Sequence, residues 1–504
     1  MKRRSFLAAS AVALLGGCTF GIGDETPTRT STRTATPVSS TDSTPSPTPV
    51  SEPDERSPEE RLRAADSLVE FETADLTATM LDGGEGHVTA DGLLTRHALV
   101  EPPTAESPAV VWATIRNTRD YEQTFYPGRL PGFGSTPAGR RVGSQDPRVF
   151  AILAPTKQHD GIGYSVAVTR DEAGRWRLGV RTVDGFGGRL TLAPGETYFG
   201  EYHLVGPYDT EMPPIIRGRY DFGVDSYGFA ISVWPTETPG PVEASTFENP
   251  DVPPLPVDGP TEWFHEAGED TGVYLSPSAE QVSAPARVEY ELQNRSKTTL
   301  DGKSNRWGLY KLESGVWHYV FTLGYPHTPS GLQPGETDRW RLGLYNGDAV
   351  KCDDYRAVGH LGGGRYAFHV GYSYDGEVHG ALLDVEAPPV SPEPTEAVDI
   401  EYDGDEVIVT TPHWDGGDGW HDKRFVFERT DAEPDRRLIP EQLYRPKLLG
   451  YRNSLPLFED GVERVRLRVA GDDVAGYNVL KNEPKAVAYR DETVRVEWEG
   501  APQE

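Results

Sequence analysis

Three aspartates in one short segment have the residue type and spacing that could bind a metal ion. Asp415, Asp418 and Asp422 lie among the glycines of residues 414–422. Calcium prefers oxygen ligands, which carboxylates and backbone carbonyls supply when a tight turn brings them together. The spacing differs from that of an EF-hand loop, and an acidic chain also forms solvated Asp-Gly loops. The segment is a weak calcium candidate, and we expect no metal and no cofactor.

One thiol and its neighbouring histidines raise the question of copper. Cys352 is followed by His360 and His369, but no methionine follows Met212 to act as the usual axial ligand. A tight hairpin at Asp-Gly 375–376 would also place His369 and His379 on opposite faces of the sheet. An inert thiol is the favoured interpretation of Cys352.

Sequence patterns of known catalytic sites are missing. The chain lacks Gly-x-Ser-x-Gly, the phosphate-binding Gly-x-x-x-x-Gly-Lys, His-Glu-x-x-His and paired Cys-x-x-Cys motifs. We therefore expect a protein that is not an enzyme. The alternative is an exported hydrolase of polysaccharide, with paired catalytic carboxylates in its last domain. In a chain this rich in Asp and Glu, the sequence does not identify such a pair.

Asn294 begins an Asn-Arg-Ser triplet, which fits the N-glycosylation pattern at the end of a predicted strand. Such triplets also arise by chance. Glycosylation of Asn294 and a chance match both stay open at this stage.

The start of the chain has the organisation of an export signal. Arg3 and Arg4 precede an apolar run at residues 6–15, which is shorter than the about 20 residues that span a bilayer. The order Arg-Arg-Ser-Phe-Leu resembles a twin-arginine signal. Leu-Gly-Gly-Cys at residues 15–18 resembles a lipobox, which implies lipid attachment at Cys18. An ordinary signal peptide that merely contains a cysteine is the alternative.

The strongly acidic composition excludes nucleic acid as a partner and favours a salty environment. The net charge is −30, with 79 Asp+Glu against 49 Lys+Arg, so binding of nucleic acid through a basic surface is excluded. Only ten of the 49 cations are lysines, and dense carboxylate with little lysine is typical of proteins from very salty surroundings. Together with the signal, the chain resembles the lipoproteins of halophilic archaea; a merely acidic secreted protein is the alternative.

A polar segment separates the signal from the folded part. Residues 24–53 are nearly all Thr, Ser, Pro and small polar residues with no apolar face to bury. Such a coil spans roughly 30 to 35 Å and would hold the folded part away from a lipid surface. A Ser-Pro-Glu-Glu capping pattern at residues 57–60 then predicts one short helix that must dock to be stable.

An internal repeat organises much of the remaining chain. Ala-Pro-Gly-Glu-Thr at residues 193–197 recurs as Gln-Pro-Gly-Glu-Thr at 333–337, and Gly-Arg-Tyr-x-Phe at 218–222 recurs at 364–368. Alternating strands that end at Asn117 and Asn294 lie upstream, and Gly-x-Trp hairpins recur at 174–176 and 315–317. The Pro-Gly pairs predict type II turns, and the Gly-x-Tyr segments predict period-2 strands.

This order of elements resembles a bacterial immunoglobulin-like domain of surface proteins. The resemblance covers residues 260–390 well and residues 66–245 more faintly, because extra residues around 131–141 form a predicted long loop in the first copy. It implies a mainly β fold with tandem immunoglobulin-like β-sandwiches, followed by a small C-terminal β or α+β domain.

The predicted boundaries follow from these features. They are a signal peptide at 1–17, lipidated Cys18 and a tether at 18–56, immunoglobulin-like domains at 57–245 and 258–390, and a last domain at 396–504. Proline-rich segments at 239–260 and 387–395 join the domains. We expect a lipid-anchored protein on the outer face of the cell membrane that acts as a spacer or interaction module, with an envelope protein or a glycan as partner.

Overall fold

The folded chain is mainly β, as predicted, with 48% strand and 6% helix. The computed structural model describes residues 58–499 except for 66, 84–85, 90, 127–129, 131, 134–137, 143–149, 184–187, 209–210, 212, 224–227, 249, 303–306, 324–329, 372–377, 415, 417–421 and 471–485. The signal and the tether therefore lie outside the described residues.

The first sandwich begins with the predicted helix α1 (Pro58–Arg63), whose Leu62 is buried against Trp112. Glu59 ties the helix to Arg96 and Arg116, with N to O distances of 3.0 and 3.3 Å. The strands that follow are β1 (Leu68–Glu70), β2 (Thr77–Leu81), β3 (His87–Val88), β4 (Leu93–Glu101), β5 (Ala109–Asn117), β6 (Gln123–Phe125), β7 (Ala138–Arg141), β8 (Phe150–Pro155), β9 (Val168–Arg170), β10 (Trp176–Leu178), β11 (Leu190–Leu192), β12 (Thr197–Val205), β13 (Gly218–Phe222) and β14 (Phe229–Trp234).

Ten of these strands form one continuous sheet in the order β1-β2-β14-β13-β7-β8-β12-β5-β4-β3. The pairs β9 with β10 and β6 with β11 form two small sheets. Inward-facing apolar residues, such as Val111, Leu153 and Phe222, fill a core between the two halves of the large sheet.

The second sandwich has two separate sheets, ordered β15-β26-β25-β20-β21 with β17 beside β26, and β16-β18-β23-β24. Between them Tyr290 stacks on Phe368 with ring centroids 4.0 Å apart. The strands are β15 (Thr261–Trp263), β16 (Val273–Pro277), β17 (Gln281–Ser283), β18 (Ala286–Asn294), β19 (Leu300–Gly302), β20 (Trp307–Glu313), β21 (Val316–Leu323), β22 (Ser330–Leu332), β23 (Thr337–Leu344), β24 (Arg356–Val358), β25 (Gly364–Val370) and β26 (Val378–Glu386).

The last part of the chain is one seven-stranded mixed sheet, ordered β27-β28-β31-β29-β33-β32-β30, with short helices packed on it. The helical segment that begins at Pro440 is divided, because Pro446 has no N–H to continue a helix. The elements are β27 (Asp399–Asp403), β28 (Glu406–Thr410), β29 (Lys423–Arg429), β30 (Arg436–Leu438), α2 (Pro440–Leu443), α3 (Leu449–Arg452), β31 (Arg464–Val469), β32 (Ala486–Tyr489) and β33 (Glu492–Glu499), with a 3₁₀ turn at Pro446–Leu448 before α3.

The repeated Pro-Gly turns and the repeated asparagines form one motif. Gly195 and Gly335 have positive φ angles of 73° and 79°, and in each turn the glutamate N–H donates to the carbonyl three residues earlier. Asn117 and Asn294 lie behind the turns, fully buried, and each Nδ2 donates to backbone carbonyls that would otherwise lack a partner. The repeat is therefore a clamped turn at the same place in both sandwiches.

The repeated tyrosines also share one structural role. The Tyr220 hydroxyl donates to Ile216 O at 2.9 Å, and the Tyr366 hydroxyl donates to Gly362 O at 2.7 Å. A tyrosine that bonds to the backbone a few residues upstream is the tyrosine corner of immunoglobulin-like sandwiches. Both contacts tie the incoming connection to the start of the strand.

The predicted equivalence of the Gly-x-Trp hairpins is wrong. Strands β9 and β10 form a separate pair, whereas β20 and β21 belong to a main sheet. The strands that occupy the positions of β20 and β21 in the first sandwich are β7 and β8, because β7 pairs with β13 as β20 pairs with β25. Thus part of the predicted loop at 131–141 is strand β7, and the extra residues follow β8 instead.

The proline-rich segment at 239–260 packs on the second sandwich as well as joining the domains. Phe247 and Leu255 are buried against Trp317, whose Nε1 donates to Pro253 O at 2.6 Å. The carbonyl of Gly240 accepts hydrogen bonds from Arg217 before the segment and Arg295 after it, both at 3.0 Å, so this carbonyl joins the two sandwiches.

Candidate functional site

The junction between the second sandwich and the last sheet gathers more buried charged groups than other described parts of the chain. Ile439, just before α2, packs into the core of the second sandwich. The N–H of Ile439 donates to Gln442 Oε1 at 3.0 Å, and Gln442 Nε2 donates to Tyr319 O on β21 at 2.8 Å. The start of α2 is therefore fixed against the edge of the neighbouring sheet.

A buried ion pair lies beneath this contact. Lys311 Nζ on β20 donates to Glu441 Oε1 on α2 at 2.6 Å, and the Glu441 side chain is 1% exposed. The N–H of Gly362 donates to the same oxygen at 3.2 Å, and a Cβ at position 362 would stand 2.6 Å from it. A glycine is therefore needed there, because any side chain would displace the carboxylate.

Two further polar groups surround the pair. Burial raises the pKa of Tyr366, whose hydroxyl is bonded to Gly362 O. Arg445 Nη2 donates to Gly359 O at 3.2 Å, and burial lowers the pKa of Arg445 to about 10, so the guanidinium stays charged at neutral pH. The cluster is a polar interlock between two β domains, in which Glu441 and Arg445 of the last part of the chain bond to groups of the second sandwich.

A solvent-open cleft of about 480 Å³ adjoins the interlock. We call it the junction cleft; it is lined by Glu313, Ser314, Val316, Trp317, His318, Tyr319, Arg436, Arg437 and Gln442. Strand β21 forms one wall and has no second neighbouring strand in the described part of the chain.

The junction cleft combines apolar surface with cations. Val316 is 57% exposed and Tyr319 is 38% exposed on the β21 wall, while Arg436 and Arg437 of β30 and Glu313 of β20 also line the cleft. Burial lowers the pKa of His318, and the nearby arginines lower it further against the opposing effect of Glu313. His318 is therefore neutral at pH 7, and the two arginines provide positive charge.

Most residues predicted to be functional lie outside the described part of the chain. This applies to Arg3, Arg4, Cys18, Asp415 and Asp418. Asp422 is described and directly precedes β29. Over the described ranges, three or more His, Cys, Asp or Glu side chains nowhere gather as a metal site would require. No helix within those ranges is long and apolar enough to cross a bilayer.

The structure counts against glycosylation of Asn294. Its side chain is fully buried, and Nδ2, the atom that a glycan would occupy, donates to Leu332 O and Thr298 O at 2.8 Å each. Both amide hydrogens are used inside the fold. Asn294 thus has a structural role in the clamped turn.

The histidines near Cys352 do not assemble around it. His369 pairs with Gly380 and His379 pairs with Val370, so His369 and His379 lie on opposite faces of the sheet, as predicted. The partner of His379 is Val370, two residues before the partner that a two-residue loop at 375–376 would give it. His360 instead stacks on Tyr444 at 3.6 Å, and Cys352 is a partly buried free thiol.

The hydrolase alternative required two carboxyl groups facing each other. Among the described residues Glu441 is the one carboxylate that is buried, and it is bonded to Lys311. Because Asp415 and Asp418 lie outside the described residues, this alternative stays a prediction.

Sequence reasoning missed the junction altogether. Lys311 and Glu441 are 130 residues apart and belong to no motif. The only local signal was Pro440, which indicates the start of a helix but does not indicate which strand that helix packs against.

Comparisons with known proteins place the chain in no family. No protein-family description matches it, and neither does a curated protein. Structural matches include an alkylpurine DNA glycosylase of Pseudomonas fluorescens bound to DNA, at 15% identity and a TM-score of 0.15, which covers 23% of this chain and 31% of that one. A polysaccharide lyase matches at 9% identity and a TM-score of 0.14, and the match covers 59% of this chain and 34% of that one. A β-glucosidase of Listeria innocua matches at 16% identity and a TM-score of 0.15, and the match covers 23% of this chain and 16% of that one. At such scores the matches carry no conclusion about this chain.

Proposed function

We propose that this chain is a lipid-anchored protein of the outer face of the cell membrane, where it acts without catalysis as a spacer and interaction module. Cys18 carries the lipid, and residues 24–53 hold the folded part away from the membrane. Export through the twin-arginine signal at Arg3 and Arg4 precedes the anchoring. A salty exterior accounts for the dense surface carboxylate.

The observation that supports this proposal best is the interlocking of the β domains. Arg217 of the first sandwich donates to Tyr274 of the second at 3.3 Å, besides the shared carbonyl of Gly240. Lys311 and Glu441 join the second sandwich to the last sheet. Domains joined only by flexible linkers would lack such polar contacts, whereas a module that presents a surface at a defined position needs them.

Fractionation of cells that export the protein tests the anchor. With Cys18→Ser we expect the protein to move from the membrane fraction to the medium, because a lipid anchor is then missing. Cys352→Ser is the matched control and should leave the protein in the membrane fraction. Retention of the Cys18→Ser protein on the membrane would contradict the proposed anchor.

The interaction role has its own test. Purified protein immobilised through its C-terminus would be exposed to glycans and envelope proteins extracted from its own cells. Specific retention of one component, lost after unfolding of the protein, is the expected result. If nothing is retained, the spacer role alone would remain.

A further inference from the structure

The junction cleft has two arginines, Arg436 and Arg437, against one carboxylate, Glu313, in a chain in which acidic residues outnumber basic ones by 79 to 49. Some sheet arginines, such as Arg141, donate to backbone carbonyls, and others contact carboxylates, as Arg339 does with Glu291 at 2.6 Å. Arg437 instead donates Nη1 to the carbonyl of Arg490 at 2.8 Å, and no carboxylate in the described part of the chain forms an ion pair with it. An arginine fork without a carboxylate, in a cleft of an acidic protein, is suited to an anion from outside.

The opposite wall of the junction cleft offers a different kind of contact. Tyr319 and Val316 expose apolar surface, and Ser314 and His318 add polar atoms beside it. An exposed aromatic ring next to polar groups suits the apolar face and the hydroxyl groups of a sugar. The cleft volume of about 480 Å³ lies within the ~300–1,000 Å³ range of ligand sites.

The two walls are held at a fixed separation. Gln442 Nε2 bonds to Tyr319 O at 2.8 Å, and the preceding residue, Glu441, bonds to Lys311 at 2.6 Å. A ligand would therefore not have to order the two domains on binding, which lowers the entropic cost of association.

We propose that the junction cleft binds an acidic saccharide, with the carboxylate of a uronic acid on Arg437 and the sugar ring against Tyr319. An acidic peptide is the less favoured ligand, because its side chains would not use the open aromatic wall. This inference gives a ligand to the proposed interaction role and rests on it. It does not depend on the anchor at Cys18, so failure here and failure of the fractionation test are distinguishable.

Calorimetric titration of the full-length protein, solubilised in detergent, tests the inference with tetragalacturonate as the probe. We expect binding that weakens as salt is raised, at least tenfold weaker binding of uncharged maltotetraose, and at least tenfold weaker binding of tetragalacturonate to Arg437→Gln. Tyr319→Ala should weaken binding, and Tyr319→Phe should retain it. Arg464→Gln, on β31 across the last sheet, is the matched control and should bind as the unchanged protein does.

Three results would overturn the inference. They are no binding of tetragalacturonate, equal binding by the Arg437→Gln and unchanged proteins, and binding of tetraglutamate as tightly as tetragalacturonate. Circular dichroism and thermal unfolding of each variant would show that a loss of binding does not come from a loss of fold.

Discussion

Replacing Lys311 by methionine would leave the Glu441 carboxylate buried without its cation. The Glu441 side chain is 1% exposed, and the N–H of Gly362 at 3.2 Å is its other hydrogen-bond donor. Removing one partner of a buried pair costs about 3–5 kcal/mol, because the remaining charge is neither solvated nor neutralised. We expect Lys311→Met to destabilise the junction by about that amount.

Replacing Glu441 instead of Lys311 should reduce the free energy of unfolding by less. In Glu441→Gln the remaining charge is on Lys311, which is 9% exposed and lies 3.8 Å from Glu313 Oε2, so it can turn towards that carboxylate. We expect a loss of about 2 kcal/mol. The double variant removes both charges and should be more stable than Lys311→Met alone, because an uncharged pair carries no desolvation penalty.

Denaturant unfolding followed by tryptophan fluorescence is the assay. Because the pair joins two domains, breaking it should also separate one transition into two, with the last sheet unfolding apart from the second sandwich. Glu428→Gln is the matched control: its partner Arg464 is 2.6 Å away, but both side chains are more than 40% exposed, so the loss should stay below about 1 kcal/mol. If Lys311→Met cost no more than this control, the interlock would not be an energetic link between the domains.

Three further outcomes follow from other buried polar groups. Asn294→Ala should destabilise the second sandwich by about 2–4 kcal/mol in denaturant unfolding, because two carbonyls lose their donor, and mass spectrometry of the exported protein should find Asn294 unmodified. Tyr366→Phe should cost about 1–3 kcal/mol in the same assay, since the carbonyl of Gly362 loses its corner hydrogen bond; a cost near zero would contradict the structural role of the corner. Burial lowers the pKa of His379 from 6.5 to about 4, so as the pH falls this histidine takes up a proton in the unfolded chain before it does so in the folded protein. Protonation of His379 should therefore reduce the free energy of unfolding by about 3 kcal/mol between pH 6.5 and pH 4. His379→Phe should lack that part of the pH dependence, measured as the difference in unfolding free energy between the two proteins; identical pH profiles would refute it.

Local patterns predicted the elements that short-range physics controls. The Pro-Gly turns formed where predicted, because proline restricts φ and Gly195 and Gly335 tolerate positive φ. Period-2 alternation identified strands such as β18 and β25, since one face of each must be buried.

Patterns that depend on strand pairing were less informative. The two Gly-x-Trp hairpins look alike in sequence, but one lies in a main sheet and the other is a separate pair. A turn motif specifies how two neighbouring strands connect and not which third strand they pair with. The predicted loop at residues 131–141 was wrong in part for the same reason, because β7 is recognised as a strand only through its pairing with β13.

The sequence by itself determined the mainly β fold, the Pro-Gly turns and the places where hairpins reverse, because each depends on neighbouring residues and their backbone preferences. It also contains the predicted anchor at Cys18, since such signals are linear. Only the tertiary structure decided that Asn294 is buried, that Lys311 meets Glu441, and that Arg437 and Tyr319 line one cleft. Those relations join residues more than 35 positions apart, and they follow from how the domains pack.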